Sequence, residues 1–281
     1  VTLAKHMTLA EQIAAYPPAL ASLADGNIEY RHAGAKPGSE PTLVLLHGIG
    51  SASASWLAQL QQLANGRSVL AWNAPGYGAS SPLPQETPAA ADYGKRVWEW
   101  LDALGVVGIT LVGHSLGALM ATAACVLQPA RVKRLVLLAP ALGYADAAEE
   151  VRESKMRDRL ANLQNLGPAG MAEKRGAAML SPSASADQIV YIKSVMAQVD
   201  PHGYAQATRM LAGGSLARDL ARITCPITVA CGSMDSITPP GGCQRAAAAA
   251  NTTLIDLGPV GHACALEAAE AVNKLLAGAM A

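Results

Sequence analysis

The sequence predicts an α/β protein: a mostly parallel, twisted sheet with helices on both faces and a helical insertion at one edge. Three observations predict it. Mostly apolar runs of strand length recur at 42–47, 68–72 and 109–112, and a further buried strand at 131–140, separated by stretches of helical spacing. From Tyr144 to about Ser215 no such run occurs, only helical patches rich in charge, Met and Ala. Strand-like runs then resume at Cys225–Cys231 and Thr253–Leu257. A strand covered on both faces reads as an unbroken apolar run, and strand alternating with helix implies parallel order.

Taken in order, residues 8 to 23 are alanine-rich and read as helical up to Pro17-Pro18, which ends that element. Asn27–His32 alternates and reads as an early strand. Thr42–His47 is the first buried strand, broken by Gly48-Ile49-Gly50-Ser51, after which Trp56, Leu57, Leu60 and Leu63 open a helix. Ser68–Trp72 is the next strand and runs into the turn-rich Asn73-Ala74-Pro75-Gly76-Tyr77-Gly78. Residues 89 to 104 are helical, with Gly105 as the stop. The strand at Ile109 leads into an apolar helix, and 131–140 is a further buried strand. The insertion follows the sixth strand and is punctuated by Gly167-Pro168, Ser181-Pro182 and Gly213-Gly214. A last helix covers Cys264–Ala277. The expected division is therefore a core of 7–143 and 216–281, with 144–215 as a helical cap.

Composition narrows the function. Formal charge is zero, with 21 basic and 21 acidic residues, so nucleic acid or an anionic membrane surface is not an expected partner. No apolar run approaches the roughly 18 residues of a membrane span. The 5 cysteines (Cys125, Cys225, Cys231, Cys243, Cys264) show no C-x-x-C spacing and read as reduced, buried thiols, which with no secretory pattern near Met7 sets a cytoplasmic expectation. His6-Met7 looks like a vector junction, so residues 1–6 are expected to be a tag remnant. Phenylalanine is absent, leaving Leu, Met, Val, Ile, Trp and Tyr to line any apolar pocket.

One stretch carries chemistry. In Ile109–Met120 an apolar strand meets an apolar helix through Gly113-His114-Ser115-Leu116-Gly117. A serine held in that sharp turn is lifted above the sheet edge, where a hydroxyl can act as a nucleophile. It needs a base. His6 lies in the presumed tag, His32 on an early strand and His202 in the insertion. His47 ends a strand and His114 points away from its neighbouring serine. His262, in a loop between the last strand and last helix, can overhang the same edge. The imidazole needs a carboxylate. Asp235 follows the strand at 227–231 and reads either as that acid or as a turn former; Asp146 is the fallback and Asp256 the weaker one. The amide N–H groups of Leu116 and Ile49 are the expected oxyanion donors.

These motifs, with His47-Gly48-Ile49-Gly50, Pro75-Gly76-Tyr77-Gly78-Ala79-Ser80, Gly232-Ser233-Met234-Asp235 and Gly261-His262, resemble those of α/β-hydrolases with a helical cap. Within that superfamily the chain is most similar to ester, enol-lactone and C–C bond hydrolases. The resemblance implies Ser115, Asp235 and His262 as the triad, with no cofactor. Asn73 stands where relatives carry Asp, and looks structural. His114 and Ser51-Ala52 depart from the C–C hydrolase pattern, and His47-Gly48 from that of enol-lactonases, so the substrate stays open. The expected function is a serine hydrolase of a small ester or lactone. Cleavage of a diketone C–C bond by the same triad is the alternative, and a non-catalytic ligand receptor on this fold the alternative of another class.

Zero net charge and an apolar cap favour a neutral or singly charged small molecule. Cys231 and Cys264 flank the acid and base loops and read as buried packing. Met156, Met171, Met179, Tyr191, Met196, Tyr204 and Met210 are expected on the packing face of the cap, some of them lining a pocket. Glu149-Glu150 and Arg152–Arg159 read as a solvated helix face. Oligomeric state is not legible.

Overall fold

The structure is a computed structural model and describes residues 7–280; the expected tag remnant lies outside the described residues. A capped turn of helix, α1 (Leu9–Ile13), leads into the hairpin of β1 (Ala19–Leu23) and β2 (Gly26–Gly34). Then come β3 (Thr42–Leu46), α2 (Leu57–Gln62), β4 (Ser68–Trp72), α3 (Ala90–Ala103), β5 (Ile109–His114), α4 (Gly117–Leu127) and β6 (Val132–Leu138). Only helices follow until the sheet resumes: α5 (Glu149–Arg175), α6 (Ala186–Met196), α7 (Pro201–Gly213) and α8 (Leu216–Leu220). The chain closes with β7 (Ile227–Cys231), α9 (Pro240–Ala249), β8 (Leu254–Asp256), α10 (Cys264–Glu267) and α11 (Ala269–Ala279).

The eight strands form one sheet in the order β1-β2-β4-β3-β5-β6-β7-β8. The first two pairings are antiparallel and every later one is parallel. Leu45 of β3 sits beside Ala71 of β4 and Val112 of β5, at the centre of the sheet. Side chains alternate across it. Val44 and Leu46 face a core built on α3 and α4, while Leu43 and Leu45 face a second core shared with α2 and α11. Both faces are buried, which is why β3 reads as a continuous apolar run. The aromatic volume comes from tryptophan instead of phenylalanine: Trp72 and Trp100 stack at 6.1 Å in the first core.

The amino-terminal reading needs a correction. The expected helix, read as running up to Pro17-Pro18, stops earlier, at Ile13, and the alanine-rich stretch beyond the prolines, Ala19–Leu23, is a strand that the sequence reading did not assign. Alanine's helix propensity is a weak prior. Here Ala21 is buried opposite Ile28 in the hairpin ladder, and that pairing wins. The last helix is also broken, at Ala268, into α10 and α11. In the insertion, Gly167 (φ 61°) and Pro168 interrupt α5, so its two halves run in different directions.

Candidate active site

β5 ends at His114, and the next residue turns the chain sharply into α4. Ser115 has φ 53°, the left-handed region that a residue with a Cβ rarely occupies. Hydrogen bonds hold it there: its N–H donates to Leu138 O at 2.9 Å, and its carbonyl accepts from Ala118 and Ala141. Close approach explains two of the neighbouring glycines. A Cβ on Gly117 would lie 2.3 Å from the Leu46 carbonyl oxygen, and one on Gly48 would lie 2.8 Å from Ser115 Cβ. The loop after β3 is thus pressed against the serine, and Ile49 follows at the same edge. Ser115, Leu116, Ile49 and His262 all line one cavity of about 400 Å³.

His262 is held from behind. Its Nδ1 lies 2.8 Å from Asp235 Oδ2, with both side chains buried. The other carboxylate oxygen accepts the N–H groups of Ile237 and Thr238, at 2.8 and 2.9 Å. The turn-forming and acid readings of Asp235 therefore describe one oxygen each. Burial raises the Asp235 pKa, but hydrogen bonds from His262 and Thr238 outweigh it and hold the carboxyl below its usual range. With the carboxylate ionised, Nδ1 carries the imidazole proton and Nε2, which has no hydrogen-bond partner among the described residues, is the basic nitrogen. Asp146 instead accepts from Ser215 and pairs with Arg218, and Asp256 accepts from Gly258 N–H; neither meets His262.

Sequence reasoning missed Thr238. Its hydroxyl lies 2.8 Å from Asp235 Oδ2, 2.9 Å from the Ala139 carbonyl and 3.1 Å from His262 Nδ1. It links the acid loop to the end of β6 and limits how Asp235 can swing. Its signal was the position three residues after an aspartate at a strand end, where a threonine closes such turns.

Two other histidines are scaffold. His47 Nδ1 donates to Gly48 O and Nε2 accepts from Ala74 N–H, joining the loops after β3 and β4. His114 Nε2 donates to the His262 carbonyl at 2.8 Å, and the two rings sit 4.7 Å apart. Asn73 has a similar office: its Oδ1 accepts from Ser53 N–H and its amide donates to Glu29. Burial lowers the pKa of His47 to about 4 and of His114 to about 3, so both are neutral in the folded protein. An unfolded histidine titrates near 6.5. Below that pH the unfolded chain takes up protons that the folded chain refuses, so stability is full above it and falls as pH drops towards 4. Urea unfolding at pH 5 is expected to show about 4 kcal/mol less stability than at pH 7.5, roughly 2 from each histidine. Equal stability at the two values would mean that these rings are not held neutral.

The insertion supplies the opposite wall. Met171, Met179, Met196 and Tyr204 line the cavity, whereas Met156, Tyr191 and Met210 do not. Cys231 and Cys264 are buried away from it. One reading is corrected here: Arg159 is not on a solvated face but lines the cavity, as do Arg175 and Arg245. Val151 and Arg159 stand eight residues apart, about two helical turns, and so share the inward side of α5.

The family described as alpha/beta hydrolase fold matches residues 41–269, most of the chain. The chain belongs to the α/β-hydrolase family. Over 245 residues it is 27% identical to the (E)-2-((N-methylformamido)methylene)succinate hydrolase of Acinetobacter baylyi, covering 85% of this chain and 90% of that protein. It is 34% identical over 161 residues to a 2-hydroxymuconate semialdehyde hydrolase of a Pseudomonas species, covering 50% of this chain and 54% of that one. The chain spans less than a third of the length of several other curated relatives it matches. Among solved structures, the enol-lactonase of Burkholderia xenovorans superposes with a TM-score of 0.80 at 21% identity, over 93% of this chain and 99% of that one; at that identity the likeness speaks for the fold. Among the described residues no helix is long and apolar enough to cross a membrane, and no cluster of His, Cys, Asp and Glu is placed to hold a metal ion.

Proposed function

We propose that this α/β-hydrolase is a serine hydrolase of a small ester or lactone, working through an acyl-enzyme. One observation carries the reading: a buried carboxylate holds His262 at Nδ1 and leaves Nε2 free beside the cavity that the strained Ser115 also lines. His262 Nε2 removes the Ser115 proton as Oγ attacks the carbonyl carbon. The carbonyl π electrons move to oxygen, where the N–H groups of Ile49 and Leu116 receive the negative charge. Collapse of the tetrahedral intermediate breaks the bond to the leaving oxygen, which takes the proton from His262. Water then repeats the sequence on the acyl-enzyme, releasing the acid and restoring Ser115. Residues 144–215 act as a cap that shelters these steps.

A fluorophosphonate probe tests this, because it phosphonylates only an activated serine. Labelling is expected at Ser115 in the wild type and none in Ser115→Ala; an unlabelled wild type would favour a ligand receptor on this fold. A second reading, cleavage of a C–C bond in a diketone-type compound, is favoured by the relative named as hydrolase of a semialdehyde, a name that contains no ester. Turnover of vinylogous diketones without release of p-nitrophenol from acyl esters would select it.

A further inference from the structure

The cavity has two unlike walls. Loops at the carboxyl edge of the sheet bring a hydroxyl, an imidazole and two amide N–H groups. The facing wall brings guanidinium groups: Arg159 and Arg175 from the two halves of the broken helix α5, with Arg245 of α9 completing the set. Among the described residues, no Asp or Glu side chain lines this cavity.

The imbalance is local, since the chain as a whole is neutral. Pairing by itself does not mark the site, since Arg96, Arg131, Arg152, Arg209 and Arg218 each pair with a carboxylate while Arg31, Arg67, Arg134, Arg157 and Arg222 form no such pair among the described residues; what sets Arg159 and Arg175 apart is that they line the cavity. Arg159 and Arg175 are half-buried and form no such pair among the described residues. Asp235, the buried acid behind His262, is already engaged with that ring and with Thr238. Placing unpaired guanidinium groups at a partly dehydrated apolar wall costs free energy unless an anion joins them. Arginine's planar fork fits a carboxylate with two parallel hydrogen bonds, which a lysine cannot match.

Resting on the hydrolase reading above, we propose that the substrate is anionic: a small ester or lactone that carries a free carboxylate, held by Arg159 and Arg175 while its scissile carbonyl faces Ser115. The expectation of a neutral or singly charged substrate is thereby narrowed to the charged case. The break at Gly167-Pro168 is what gives α5 two approaches to one anion, because an unbroken helix would carry Arg159 and Arg175 about 24 Å apart along its axis.

The test compares 4-nitrophenyl hydrogen glutarate with its methyl ester, which differs by the one charge. Wild-type kcat/KM is expected to favour the acid at least tenfold. Arg159→Gln and Arg175→Gln are each expected to shrink that preference at least tenfold, chiefly through KM, while Arg159→Lys retains more of it than Arg159→Gln. Arg152→Gln, on the same helix but paired with Glu149, leaves the preference intact. A wild type that treats the two esters alike, or glutamine variants that lose both activities in equal measure, would overturn the proposal.

Binding separates this from the hydrolase reading. Glutarate titrated calorimetrically into Ser115→Ala should bind, and adding Arg159→Gln should abolish the heat. Arginine-dependent glutarate binding in a protein that no fluorophosphonate labels would sink the hydrolase reading and keep the anion site. Labelling at Ser115 without glutarate binding would do the reverse.

Discussion

Replacing Asp235 by Asn is expected to lower kcat about ten-thousand-fold at neutral pH with little change in fold, while Asp146→Asn leaves kcat within about twofold. The reason lies in how the acceptor sites of the carboxylate are used. Oδ1 takes two backbone N–H groups of the turn, and Oδ2 faces His262 Nδ1 and the Thr238 hydroxyl. In the Asp235→Asn variant the amide oxygen must stay with the backbone donors, because an amide nitrogen there would point its hydrogens at theirs. The NH₂ group then faces Nδ1 and can only donate. His262 responds by carrying its proton on Nε2, the nitrogen that in the proposed mechanism takes the proton of Ser115. The variant keeps every neighbour and loses the tautomer. Steady-state kinetics on a p-nitrophenyl ester decide it. A larger loss in Asp146→Asn would transfer the acid's role to a residue whose present partners are Ser215 and Arg218.

Where sequence reasoning succeeded and failed follows from what each feature depends on. The strands β3 to β7 were legible because burial on both faces writes itself as a concentration of apolar residues, and the sharp turn at Ser115 because a serine between two glycines at a strand-to-helix junction is a short contiguous pattern. Both signals are contiguous in the sequence. β1 was missed because Ala19–Leu23 is a strand only through its partner β2, and alanine carries no mark of that pairing. Arg159 was misread for a related reason. The first half of α5 carries charge on several of its faces, so no periodicity separates the arginine that turns inward from Arg152, which pairs with Glu149. The candidate base and acid could be ranked from loop positions, yet the full engagement of Asp235, including Thr238, required coordinates. The chemistry of the serine is written locally in the sequence, and the chemistry of the opposite wall is written in how two halves of a helix return to it.

The backbone of Ser115 allows function and stability to be separated in a single position. Ser115→Ala is expected to lower kcat at least a thousandfold, since no other hydroxyl among the described residues stands on that turn and the remaining donors can only bind the carbonyl. Alanine keeps the Cβ, so the φ of 53° stays costly, by about 1–2 kcal/mol for an L-residue in that region. Ser115→Gly removes both the hydroxyl and the Cβ. It should lose kcat to the same extent but melt higher than Ser115→Ala, by about 2 °C for about 1 kcal/mol of relieved strain. A structural serine would give a different pattern, with activity following melting temperature across the two variants. If Ser115→Gly instead retained near wild-type turnover, the hydroxyl would have no part in the chemistry. The expected divergence, an inactive variant more stable than another inactive variant, would show that the strain is retained because Oγ must stand at the cavity and the fold alone does not require it.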